Sequence, residues 1–143
     1  MTSKEIVKQT LEKWKFPVLQ ETENAIVIRY QMNYVQIGSL QEDTQAIAVT
    51  LTGIFTADDE REKRLALKAC NELNYRMMQV KLYLDEDNDL VIASEFFYKN
   101  DEDVELLLNY ALQAVVTAKK RFIQQYEAVE DEDKLIQELN NEE

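Results

Sequence analysis

The strongest constraint on this chain is a set of period-two segments joined by connections too short to cross a sheet. Residues 45–53 alternate most cleanly: Ile47, Val49 and Leu51 fall on one side, Ala46, Ala48, Thr50 and Thr52 on the other. Residues 25–31 do the same, with Ile26, Ile28 and Tyr30 opposed to Val27 and Arg29. Residues 33–39 follow, with Val35 and Ile37 opposed to Tyr34 and Gln36. A parallel crossover needs a dozen or more residues, so these three strands must be antiparallel neighbours. A second alternating pair, residues 79–84 and 90–98, flanks the acidic run from Asp85 to Asp89 and reads as a hairpin. There Val80, Leu82 and Leu84 alternate with Lys81 and Tyr83, and Leu90, Ile92 and Phe96 oppose Val91, Ala93, Glu95 and Phe97.

Helical spacing fills the intervals. Residues 3–15 carry Ile6, Val7, Thr10, Leu11 and Trp14 on one stripe, with Thr2 and Glu5 spaced as a capping box and Pro17 closing the segment. A second helix is expected after Thr56, its hydroxyl capping, and runs to about Arg76 on a stripe of Leu65, Ala66, Ala69, Cys70 and Leu73. A third is expected from Glu102 to Tyr126, capped by Asn100 and acidic in its first turn. The order α-β-β-β-α-β-β-α, without linker or repeat, predicts one α+β domain over residues 1–126. Its antiparallel sheet is packed on one face by the helices.

Residues 127–143 hold eight acidic side chains and one lysine, Lys134, so they account for −7 of the chain's net charge of −12. They are expected to be a frayed, solvated tail, with Lys134–Leu139 at most a helical turn. Such a charge repels nucleic acid and anionic lipid. The N-terminal residues lack the apolar stretch of a signal peptide and no run is long enough to span a bilayer, which points to the cytoplasm.

The reactive inventory is sparse. The 143 residues include no histidine, one cysteine and two glycines. A His-based nucleophile pair, an imidazole metal site, an internal disulfide and a Gly-rich phosphate loop are all excluded, and no cofactor or enzymatic activity is expected. The Asp85–Asp89 run matches the first positions of a calcium loop. It then fails, with Leu90 where glycine is needed and Phe96 where a bidentate glutamate belongs. Glu95 is expected to pair with Lys81 across the hairpin, Cys70 to be a buried structural thiol, and Asn74 to close the end of its helix.

What remains is the outer side of the sheet. Val27, Arg29, Tyr34, Ala46, Ala48, Thr50, Thr52, Tyr83, Val91, Ala93 and Phe97 mix small and aromatic side chains on one face. A shallow, semi-apolar surface of that kind suits a protein or peptide partner, or a second copy in a homodimer.

The stretch Asn71-Glu-Leu-Asn74, the segment Lys81-Leu-Tyr-Leu-Asp85, the acidic turn and Leu90-Val-Ile-Ala-Ser-Glu-Phe-Phe97, closed by an apolar helix, resemble the YbjN-like family. Those domains are described as bacterial sensory transduction regulators and share a fold with type III secretion chaperones. The resemblance covers roughly residues 3–126. It implies a small non-enzymatic binding or regulatory module, chaperone-like in fold, without naming a partner. The acidic tail offers an alternative, a decoy or chaperone for basic proteins.

Overall fold

The structure, a computed structural model, describes residues 1–142; Glu143, one of the eight tail acids, lies outside them. The chain runs α1 (Ser3–Lys13), β1 (Val18–Glu21), β2 (Ile26–Tyr30), β3 (Asn33–Gly38), β4 (Ala46–Leu51), α2 (Glu60–Arg76), β5 (Lys81–Leu84), β6 (Leu90–Phe97) and α3 (Val104–Asn141). The strands form one antiparallel sheet in the order β1-β2-β3-β4-β6-β5. This is the α+β architecture expected, with one strand more than the alternation revealed. All four residues of β1 are exposed, so it carries no period-two signal, and a bulge between Val18 and Gln20 breaks its pairing.

Ile26, Ile28, Val35, Ile37, Ile47, Val49, Leu51, Leu82, Leu90, Ile92 and Phe96 are buried, and the three helices roof that face. The alternation therefore assigns inside and outside correctly in β2, β3 and β4. In α3, Val104, Leu108, Ala111, Leu112, Val115, Ala118 and Phe122 are buried at steps of three and four along the helix. Phe55 reaches under this helix and meets Phe122 and Tyr126 at ring-centre distances of 5.5 Å and 4.9 Å.

Local chemistry fixes the ends. Thr2 and Glu5 form the expected reciprocal capping box on α1. Its far end closes on Lys15 in the left-handed region (φ 63°), with the Phe16 N–H donating to Leu11 O at 2.9 Å just ahead of Pro17. The β2–β3 hairpin turns through Gln31 and Met32, both at positive φ, a geometry that normally selects Gly or Asn. Asn33 compensates. Its amide donates to Gln31 O at 2.9 Å, and its Oδ1 accepts from Lys119 Nζ at 2.6 Å, which ties the hairpin to α3.

Three boundaries differ from the sequence reading. Helix α2 begins at Glu60, capped by Asp59, whose carboxylate accepts the Glu62 N–H at 2.7 Å. Thr56 is not the cap, because its hydroxyl donates to the Asp89 carboxylate beside an isolated backbone bridge between the same residues. Asn100 makes no side-chain cap; a 3-10 turn, Asp101–Asp103, leads into α3 instead. The third difference is the largest. Rather than fraying after Tyr126, α3 continues to Asn141, 38 residues and about 57 Å at 1.5 Å per residue. Val129 is buried, and Asp133 takes Arg61 Nε at 3.1 Å and Arg64 Nη1 at 3.2 Å, so α2 holds the continuation by ion pairs. The two arginines outweigh the burial of Asp133 and hold its carboxyl below the ordinary aspartate value.

Candidate functional site

The register brings the predicted outer residues onto one side of the sheet. Arg29 faces Tyr34 across β2 and β3, Thr50 faces Ala93 and Ala46 faces Phe97 across β4 and β6, and Tyr83 faces Val91 across β5 and β6. Tyr34 and Phe97 are 67% and 85% exposed, and Arg29, Thr52 and Tyr83 are exposed as well. Val27, Ala46, Ala48 and Thr50 lie half-buried between them. The surface is thus a shallow floor of small side chains bounded by aromatic rings.

Two residues of the predicted set are not part of that accessible floor. Val91 and Ala93 are 6% and 4% exposed. Their cross-strand neighbours explain this: Lys81 stands opposite Ala93 and Tyr83 opposite Val91, and long side chains beside small ones shield them from water. Lys81 pairs with Glu95 on the same face, as expected, and its ammonium lies 5.8 Å from the centre of the Tyr83 ring. The hydrogen bond to Glu95 raises the Lys81 pKa. This corner of the face is closed by a salt bridge rather than open for contact.

The reactive candidates resolve into structural roles. Burial pushes the Cys70 thiol up to about 11, so it is neither a nucleophile nor a ready metal ligand at neutral pH. In the β5–β6 turn, carboxylate oxygens of Asp85, Asp87 and Asp89 lie within 4.8 Å of one another. Asp85 Oδ1 accepts the N–H groups of Asp87 and Asp89 at 2.9 Å and 3.0 Å, and Asp89 accepts from Thr56. The Asp85 and Asp89 carboxylates thus brace the turn, whereas Asp87 contributes to it through its backbone N–H. A cleft of about 810 Å³ lies between the start of α1, the β1–β2 turn and the 40–43 loop. Its lysines, Lys4 and Lys8, are both paired with Glu21 at 2.9 Å and 3.2 Å, and its other charged groups are Glu5, Glu23, Glu42 and Asp43. Those two ammonium groups hold the Glu21 carboxyl below its ordinary value.

Asn74 does more than close a helix. Its Nδ2 donates to Leu82 O and its Oδ1 accepts from Leu82 N–H, each at 2.9 Å. Leu82 lies in the edge strand β5, so α2 occupies the backbone groups that would otherwise be free to pair with another chain. Sequence reasoning missed this bidentate clip, although an Asn eight residues before an alternating edge strand is a visible signal.

Among the described residues, no helix is long and apolar enough to cross a membrane. Comparison with curated proteins finds none that matches in sequence. Among solved structures, the fold is similar to that of YbjN from E. coli, described as "a putative transcription regulator". That match has 14% identity and a TM-score of 0.63, and covers 82% of this chain and 88% of the other. An uncharacterized protein from Methanothermobacter thermautotrophicus is similar over 88% of this chain and 97% of its own, with 19% identity and a TM-score of 0.58. The type III secretion chaperone SycH of Yersinia pestis, solved in complex with a fragment of YscM2, aligns over 80% of this chain and 97% of its own. Its identity is 9% and its TM-score 0.48. The family model for YbjN, described as "Putative bacterial sensory transduction regulator", matches residues 3–127. On the strength of that match over most of its length, the chain belongs to the YbjN family.

Proposed function

We infer that this protein is a regulatory, protein-binding module that takes a protein or peptide partner on the open face of its sheet. The observation that supports this reading most is the exposure of Phe97 and Tyr34 around a floor of Ala46, Ala48 and Thr50. Large rings left in water lose hydrophobic free energy that contact with a partner recovers, and aromatic anchors beside small residues are the usual composition of a contact centre. The family description, a sensory transduction regulator, fits a module that works by binding. The absence of histidine and the buried state of Cys70 fit the same reading.

The test uses Phe97→Asp, Ala48→Asp and Thr50→Lys, which place charge on the face without touching the roofed core. Capture of partners from native lysate and light scattering of the purified chain are measured for each. Loss of one specific partner, or of a dimer, in all three variants supports the reading. Unchanged capture and oligomeric state in all three would exclude this face as the site.

A further inference from the structure

The acidic end of α3 divides its charges by helix face. Glu130, Glu132 and Asp133 turn to α2, where they meet Arg61, Lys68 and the Arg61–Arg64 pair at 3.7 Å, 3.5 Å and 3.1–3.2 Å. Glu127, Asp131 and Glu138 stand at i, i+4 and i+11, one row along a helix of 3.6 residues per turn, with Glu142 continuing it just past the end; the one cation in the row, Lys134 at i+7, is drawn to Glu130 at 3.8 Å, so the row stays net acidic. Among the described residues none of these four acids has an ion-pair partner. Beside the row run Leu135 and Leu139, one turn apart, with Ile136 next to them. All three are about half exposed. The core ends at Val129, and every residue from Lys134 to Glu142 is exposed.

The ion pairs to α2 anchor the turn at 130–133 from which the exposed last two turns of α3 extend. What they present is an apolar stripe edged by carboxylates. A second copy of this chain is a poor occupant, because two such faces would bring two unpaired acidic rows to one seam. The matching surface carries apolar side chains flanked by Lys or Arg. We propose that residues 127–141 form a docking helix for a basic amphipathic segment of a partner protein. Leu135 and Leu139 seat on the partner's apolar residues, and Glu127, Asp131 and Glu138 meet its cations. This site is separate from the sheet face and does not depend on it.

The probe is a synthetic amphipathic peptide of Leu and Lys at helical spacing, titrated against the full chain by fluorescence anisotropy. Binding should weaken as salt rises. Leu135→Gln with Leu139→Gln should weaken it by about tenfold or more while the helical circular dichroism is kept. Asp131→Asn with Glu138→Gln should weaken it and flatten the salt dependence. Glu42→Gln with Asp43→Asn removes the same charge from the distant 40–43 loop and should leave the Kd unchanged, as should Phe97→Asp on the sheet face. Equal losses in the loop variant, or none in the leucine variant, would overturn the proposal as diffuse attraction to an acidic protein. A wild-type dimer that the leucine variant converts to monomer would overturn it in favour of self-association.

Discussion

Replacing Asn74 by alanine removes both hydrogen bonds that hold α2 to Leu82 on the edge of the sheet. Each bond is 2.9 Å long and joins a side-chain amide to a part-buried backbone group. A bond of this kind contributes roughly 0.5–1.5 kcal/mol net, so the pair sets an expected loss of about 1–3 kcal/mol. For a chain of this size that corresponds to a fall in Tm of about 2–4 °C per kcal/mol. Asn74→Asp separates the two bonds, because a carboxylate can still accept from the Leu82 N–H but cannot donate to the Leu82 carbonyl. It should be less stable than wild type, because its second carboxylate oxygen is repelled by the Leu82 carbonyl where the amide donated. Urea unfolding gives the free energies. Amide hydrogen exchange gives the location, since protection at Leu82 should drop in Asn74→Ala by more than the global change. If Asn74→Ala alters stability by less than about 0.3 kcal/mol and leaves Leu82 protection unchanged, the clip contributes nothing and β5 is held by β6 alone.

Other outcomes follow from the same geometry. Ser94 is buried in β6 and its hydroxyl has no hydrogen-bond partner among the described residues, so Ser94→Ala should be neutral or stabilise by up to about 1 kcal/mol in urea unfolding. With the Cys70 thiol at about 11, only about one molecule in a thousand is thiolate at pH 8, and a thiol reagent should react with native protein far more slowly than with unfolded protein. Asp133 has a lowered pKa in the folded chain, so the stability it lends the α2–α3 contact is present above the unfolded aspartate value of 3.8. That stability should fade as pH falls through the lower folded value. Amide exchange in residues 127–141 followed across that window should rise in wild type and be already high, and less pH-dependent, in Arg61→Ala with Arg64→Ala.

The inner face of the sheet was legible because Ile, Val and Leu recur every second residue in β2, β3 and β4 and nothing polar interrupts them. Strand β1 was illegible for the opposite reason. It sits at an edge with all its side chains exposed, so burial imposes no pattern on it. The end of α3 is not legible locally: its own charge favours fraying, while the stabilising cations lie some seventy positions away in Arg61 and Arg64. Composition counts the acids but cannot pair them. The outer face was readable as a set, since alternation alone places Arg29, Tyr34, Thr50 and Phe97 together. Whether Val91 and Ala93 reach water depended on Lys81 and Tyr83 across the hairpin, which sequence spacing does not weigh. Lys119 on Asn33 and Asn74 on Leu82 belong to the same class, side chains of one element satisfying the backbone or turn of another.

Phe97 and Tyr75 are almost equally exposed, 85% and 87%, yet one stands on the open sheet and the other on α2. Placing a photo-crosslinking phenylalanine at each position and irradiating in native lysate compares the two surfaces with accessibility held constant. A discrete adduct from position 97 and none from position 75 is the result expected if partners come to the sheet. An adduct from position 75 alone would put the contact on the helical side and contradict it.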